Sequence, residues 1–245
     1  MKRYRILLTA SMKRALSILL LVAFMAAACA VAEGDHEAEN YTRYFDYTPV
    51  ENAPIGLVPG ENHNTLVLYF SRVGNTAFPE EVDAVSYASQ NVTEGEKLVG
   101  TAQMVAGWIA DETGGDVFPI QTAFTYPEAF WDTVTVIEGQ EKDHVHPRMA
   151  AIPEDMTGYD TVWLVTPIWA YSVCLPVRSF LESVDLSGKT VYVFTTHCGS
   201  GMSDAMEVVQ ALQPNADVRK GMAIASDTFD GIREQVLQFV QGIQD

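Results

Sequence analysis

From position 66 onward, two hydrophobic patterns alternate along the chain. Residues 66–70 (LVLYF) form an unbroken apolar run, the mark of a strand covered on both faces. The segment 101–113 instead spaces Met104, Val105, Trp108 and Ile109 at helical intervals, and Gly114-Gly115 stops it. A short strand is predicted at 117–120, and an acidic helical stretch follows Pro127 and ends before Pro147. TVWLVT at 161–166 predicts a third strand, and 176–184 a helix with Pro176 in its first turn. TVYVFT at 190–195 predicts a fourth strand and 202–212 a helix. A fifth strand at 222–225 precedes a closing helix at 230–241, with Ile232, Val236, Leu237 and Val240 turned inward.

Five strands alternating with helices predict an α/β fold, a doubly wound, five-stranded parallel sheet with helices on both faces. Right-handed crossovers then restrict the topology. In such sheets a ligand sits beyond the carboxyl ends of the strands, where strand order reverses. The segments after strands one, three and four are therefore the places to search, and all three are unusual.

Ser71-Arg72-Val73-Gly74-Asn75-Thr76 follows the first strand, Pro167-Ile168-Trp169-Ala170-Tyr171 the third, and Thr196-His197-Cys198-Gly199-Ser200-Gly201 the fourth. The first and last offer hydroxyls, glycines and backbone N–H groups suited to an anion or polar ring edges. The middle one offers a tryptophan and a tyrosine on which a planar group can stack. An anion site and a stacking site together point to a mononucleotide-like cofactor.

At these residues the chain resembles the flavodoxin family, in particular exported flavodoxin-like proteins of bacteria. The resemblance runs over roughly residues 64–242. It is carried by YFSRVGNT at 69–76, TGGDVFPI at 113–120, TPIW at 166–169 and SGKTVYVFTTHCGSG at 187–201. It implies the strand order 2-1-3-4-5 and FMN as cofactor, with the first loop holding the phosphate and the other two flanking the isoalloxazine ring. On that resemblance the cofactor-binding residues are Ser71, Arg72, Val73, Gly100, Thr101, Ala102, Pro167, Ile168, Trp169, Ala170, Tyr171, Thr196, His197, Cys198, Gly199, Ser200 and Gly201.

The chain departs from the family pattern in three ways. Val73 stands at a hydroxyl position, and Cys198 replaces a glycine. An insertion at about 77–99 separates the first loop from the helix at Thr101, beyond the usual connection length. Because a phosphate favours the positive end of a helix, Ser71 with Gly100 and Thr101 is the expected clamp. The direct loop ending at Thr76 stays open as the alternative.

Composition narrows the partners. The full chain carries a formal charge of −17. Its five bases before position 33 all lie in the first fourteen residues, so the remainder reaches −22. Such a surface repels nucleic acid and anionic membrane, so no nucleic-acid partner is expected. The same acidity suits a basic redox partner protein or a neutral small electron acceptor of the quinone type.

The N-terminus has the plan of an export signal: Lys13-Arg14, an apolar run at 15–28, then small residues around Cys29. Ala26-Ala27-Ala28-Cys29 resembles a lipoprotein box, with Ala26 where such boxes usually have Leu. Ala30-Val31-Ala32 would also serve ordinary cleavage, and both readings stay open. A membrane contact is expected only through a lipid at Cys29. The resulting division is a signal at 1–32, an acidic tether at 33–63 and a flavodoxin-like domain at 64–245.

Other motifs point nowhere in particular. His144 and His146 have no further ligand nearby in sequence, so no metal is expected. Gly-x-Ser-x-Gly, Cys-x-x-Cys and the dinucleotide fingerprint do not occur. Cys174 and Cys198 both fall just past strands on the ligand edge. A disulfide, a redox thiol and two merely small side chains all remain open for them. The competing function is a flavodoxin-fold binding or interaction module that has lost FMN, a reading supported by Val73, Cys198 and the insertion.

Overall fold

The computed structural model describes residues 50–76, 78, 90–92, 98–225 and 231–244. The chain divides into two units, of which Met1–Ala38 lies outside the described residues. The signal expected at 1–32, the lipid site expected at Cys29, the first part of the expected tether and most of the insertion fall outside the described residues as well.

The apolar run at 66–70 is the second half of β1 (Asn62–Phe70), and its alternation sets the layers. Leu66, Leu68 and Phe70 face one helical layer, while Val67 faces the other. The sheet continues through β4 (Gly115–Ile120), β5 (Thr161–Trp169), β7 (Thr190–His197) and β8 (Asp217–Ala225). These strands run parallel in the order β4-β1-β5-β7-β8. Counting only the parallel strands along the chain, that is 2-1-3-4-5, as expected. A two-residue strand β6 (Ser172–Val173) folds back on β5, and β2 (Gln90–Val92) pairs antiparallel with β3 (Leu98–Gly100) apart from the sheet.

Helices α1 (Thr101–Thr113) and α5 (Ile232–Gln244) cover one face, where Val105, Ile109, Val236 and Val240 meet Val67, Trp163, Val165 and Phe194. Helices α2 (Phe130–Asp143), α3 (Leu175–Ser183) and α4 (Ala205–Leu212) cover the other. Val136, Phe180 and Val209 pack there on Leu66, Leu164 and Val193. Of the four α5 positions expected inward, Val236 and Val240 are fully buried, whereas Ile232 and Leu237 are half-buried.

Among the boundaries that differ from the sequence expectation, three have clear physical reasons. β8 starts five residues early because Asp217, Arg219 and Lys220 lie on an edge strand, where charge is tolerated and discourages edge pairing. β5 runs on through Pro167 to Trp169. Its ladder with β1 ends at Val165, so the missing proline N–H breaks no rung on that side. Residues 50–61, expected as tether, instead form a strap along the free edge of β4. Val58 exchanges backbone hydrogen bonds with Val117 at 2.8 Å, and Asn52 N–H donates to Ala123 O at 2.8 Å. Covering this edge keeps it from pairing with another chain.

No helix among the described residues is long and apolar enough to cross a membrane.

Candidate functional site

The insertion ends by returning the chain to the sheet. β3 delivers it to Gly100, and α1 begins at the next residue. No acid stands in the first turn of this helix, and the Gln103 side chain reaches back to its start, where Oε1 accepts from Gly100 N–H at 3.3 Å. Helix starts carry N–H groups without intrahelical acceptors, and a partial positive charge.

Ser71, at the end of β1, lies against this helix start. A Cβ built on Gly100 would overlap Ser71 Oγ outright and come within 2.6 Å of Ser71 Cβ. Gly100 has φ −78°, a conformation open to any residue, so glycine is needed for the close approach and not for its backbone freedom. Ser71 thus lies against Gly100, the residue before Thr101, although 28 residues separate the two in sequence.

The residues from Ser71 to Thr76 are otherwise engaged. Val73 N–H donates to Ser71 Oγ at 3.1 Å. Asn75 N–H closes a turn on Arg72 O at 3.0 Å, with Gly74 at φ +92° in the position that a type II turn reserves for glycine. Asn75 Nδ2 donates to Ser71 O and Ile120 O, and its Oδ1 accepts from Thr122 N–H and Oγ1. Asn75 therefore staples the β1 loop to the β4–α2 connection. Arg72 is buried, and its Nη2 donates to Pro127 O and Glu128 O and, at 3.2 Å, to Thr133 Oγ1. Burial lowers its pKa to about 10, still protonated at neutral pH. The guanidinium is thereby committed to the start of α2.

Register brings the other loops to the same place. Tyr69 pairs with Val165 and Pro167 with Thr196, so Ser71, Pro167 and Thr196 continue one row across β1, β5 and β7. Two-residue alternation from Val165 and Phe194 turns this row toward the α1 side. Thr196 Oγ1 is buried there with no hydrogen-bond partner among the described residues, as is Thr76 Oγ1 in the first loop. Orphaned buried hydroxyls are uncommon in folded proteins and call for an explanation.

Trp169 is half-buried and held edge-on by Phe70 at 5.2 Å and Tyr126 at 5.7 Å between ring centroids. Its neighbours Ala170 and Tyr171 have φ +47° and +63°, a two-residue hairpin turn that normally selects Gly or Asn. The turn is clamped from the β7–α4 segment. Ser203 Oγ, on another left-handed residue, donates to Tyr171 O, and Ser172 Oγ donates to the Asp204 carboxylate at 2.7–2.8 Å. Ile168 is buried beneath, whereas Tyr171 stands out in solvent.

In the last loop, Gly199 N–H donates to His197 Nδ1 at 3.1 Å, which makes Nδ1 an acceptor and leaves a neutral ring its proton on Nε2. Thr195 Oγ1 donates to Gly201 O at 3.1 Å, and Ser200 is half-buried between the positive-φ glycines 199 and 201. Cys198 does not adopt a left-handed conformation, so replacing the family's glycine costs no backbone strain. Cys174 and Cys198 are both free thiols, one buried and one exposed, so no disulfide joins them. Burial pushes the Cys174 pKa up to about 12, which keeps its sulfur a thiol. His144 and His146 belong to no cluster of metal-binding side chains among the described residues.

Several participants were not legible in sequence. Gln121 ties the strap to the first loop, accepting from Ile55 N–H at 2.7 Å and donating to Gly74 O at 3.1 Å. Tyr126, Asp204 and Ser203 likewise come from segments with no motif. Only NG-like or GG turn signals mark left-handed positions, and Ala-Tyr carries none.

The strand order and the three loops gathered at one sheet edge define a flavodoxin-like α/β protein. The family described as flavodoxin matches residues 96–240, more than half of the chain. The chain belongs to the flavodoxin family. Among solved structures, a candidate flavoprotein of Bacteroides uniformis is 25% identical with a TM-score of 0.55, over 74% of this chain and 99% of that one. A second, from Bacteroides eggerthii, is 23% identical with a TM-score of 0.53, over 75% and 99%. A Lactobacillus acidophilus flavoprotein in complex with FMN has 15% identity and a TM-score of 0.48, over 68% and 95%. No curated protein matches.

Proposed function

We propose that the protein binds FMN and transfers electrons outside the cytoplasm, as a carrier or as a reductase of small acceptors. The observation that carries this reading is the contact of Ser71 with Gly100 at a helix start with no acid in its first turn. The donors there suit a phosphate: Ser71 Oγ and the first-turn amides of Thr101 and Ala102. Thr196, with its unpartnered hydroxyl, suits the polar chain between phosphate and ring. Trp169 and Tyr171 on one side, with the Thr196–Gly201 backbone on the other, suit the ring itself. The residues present fit the group.

When bound, FMN would supply the one- or two-electron chemistry. The chain's own residues hold it, exclude water from the phosphate and set the field around it. The surrounding negative charge disfavours an anionic reduced ring, with salt screening much of the long-range part. Export, with the lipid at Cys29, and an electron partner that is either a redox protein or a small acceptor, complete the proposal.

The test is a visible spectrum and FMN fluorescence titration of the mature protein. Affinity lost in Thr101→Ala and kept in Thr76→Ala is the expected result. Loss in Thr76→Ala alone would move the phosphate to the first loop. A folded, colourless protein that ignores added FMN would leave the binding-module reading.

A further inference from the structure

Three aromatic side chains stand well exposed among the described residues: Phe130 at 46%, Trp131 at 74% and Tyr171 at 82%. All three lie at the carboxyl edge of the sheet. Phe130 and Trp131 open α2 just after the β4 connection, with ring centroids 5.1 Å apart. Tyr171 tips the β5–β6 hairpin, two residues from Trp169, whose ring meets Tyr126 on that same connection.

The strap reaches this edge too. It runs antiparallel to β4, so the chain enters the described fold beside the ligand loops and leaves the strap at the opposite edge, where Gly60 N–H meets Asp116. At its start Val50, 55% exposed, donates its N–H to Thr125 Oγ1 at 3.1 Å and accepts from Thr125 N–H at 2.8 Å. Thr125 directly precedes Tyr126. Twenty residues separate Cys29 from Val50, a contour of at most about 70 Å. A lipid at Cys29 would thus tether the molecule by its aromatic edge.

We propose that this edge rests on the surface of a lipid bilayer, so that the cofactor site faces the membrane. The proposal rests on the anchored, FMN-binding reading above and adds to it the side from which electrons arrive or leave. Tryptophan and tyrosine rings are the side chains that settle at headgroup level, with an apolar body and a polar tip. Glu51 and Glu128 stand exposed beside them, and Asp132 is half-buried in the first turn of α2. Zwitterionic rather than anionic headgroups are therefore the fitting surface.

The experiment uses the mature exported protein with phosphatidylcholine vesicles that carry a nitroxide on the headgroup. Tryptophan fluorescence is quenched, and Trp131→Phe removes most of the quenching. Ile243 is exposed near the end of α5, which runs back toward the opposite edge of the sheet. A tryptophan introduced by Ile243→Trp adds a signal that is not quenched. No quenching of Trp131, or equal quenching through Ile243→Trp, overturns the proposal. The mass of the mature chain reads lipidation at Cys29, and the visible spectrum reads flavin. Failure of either reading is thus seen apart from failure of the docking face.

Discussion

The two edges of the sheet are built from the same strands and treated oppositely. At the amino edge, the buried charged groups are paired. Asp116 is buried, yet it accepts from Gly60 N–H at 2.7 Å, His63 Nδ1 at 2.9 Å and Tyr159 OH at 2.8 Å. Lys189, also buried, donates from Nζ to Tyr159 O at 2.7 Å. At the carboxyl edge two buried hydroxyls lack partners, three residues other than glycine hold left-handed backbone, and aromatic rings face water. Such imperfections persist only where the surrounding structure compels them, and they gather where a protein binds something. One edge holds the fold together, and the other keeps its capacity for a ligand.

The largest effect is expected where the carboxyl edge is tightest. Gly100→Ala puts a methyl group into Ser71 and moves the first turn of α1. FMN affinity should fall by about a hundredfold or more, close to 3 kcal/mol. Gly107→Ala is the control, since nothing lies within 4 Å of a Cβ there. It should raise stability by about 0.5–1 kcal/mol through helix propensity and leave FMN titration unchanged. Circular dichroism and fluorescence titration read both. Equal behaviour of the two variants would mean that the close approach is not the binding site.

At the amino edge, the comparison predicts stability loss without binding loss. Asp116→Ala strands three donors and should cost about 2–3 kcal/mol in urea unfolding, with FMN affinity intact. Burial alone would raise the Asp116 pKa, but the hydrogen bonds from Gly60, Tyr159 and His63 outweigh it and hold it below the usual carboxylate value. Its contribution is therefore present above the unfolded pKa and lost as pH falls through the lowered folded one. Tyr159 has the opposite sign. Burial and the Asp116 carboxylate raise its pKa to about 12, so stability declines as pH rises from the ordinary tyrosine value of about 10 toward 12. Both slopes should vanish in the Asp116→Ala, Tyr159→Phe double variant.

The same contrast explains what the sequence could reveal. The layers and the three loops were legible because buried parallel strands such as TVWLVT have little room for polar residues, whereas the strand order came from the family resemblance. Ser71 meeting Gly100 was legible because an expected phosphate favours a helix start, and the helical pattern begins at Thr101, not at Thr76. The strap was not, because residues 50–61 bond through backbone and through Asn52, Gln121 and Asp116, which leave no periodicity. Nor was the Ala170-Tyr171 turn, whose strain is imposed by Ser203 and Asp204 some thirty residues on. Backbone partners chosen by tertiary structure write nothing into local pattern.

That imposed turn offers a smaller, more discriminating change. Ala170→Gly removes a left-handed alanine and should stabilise the fold by about 0.5 kcal/mol, since relief of strain exceeds glycine's added chain entropy. If the strain serves to preset the hairpin for the ring, FMN affinity should fall several-fold in the same variant. Stability and affinity would then move in opposite directions, which a turn strained for folding alone would not produce.

The smallest effect belongs to the cysteines, where the two treatments meet within one edge. Cys174 is sealed in the core beside Thr166, with its Sγ 3.7 Å from Thr166 Oγ1 and its pKa raised by burial to about 12. Cys198 is exposed and unstrained. A thiol-specific aromatic disulfide reagent at neutral pH should therefore label Cys198 in the folded protein. Cys174 should react only on unfolding, because the thiolate is the reactive form and burial suppresses it. Cys198→Gly should change stability by less than about 0.5 kcal/mol, as surface substitutions usually do. Added FMN should slow the labelling of Cys198 if its loop lines the ring, while Cys174 remains silent with or without it. Labelling of Cys198 indifferent to saturating FMN would separate this loop from the cofactor and leave Ser71, Gly100 and Trp169 to define the site.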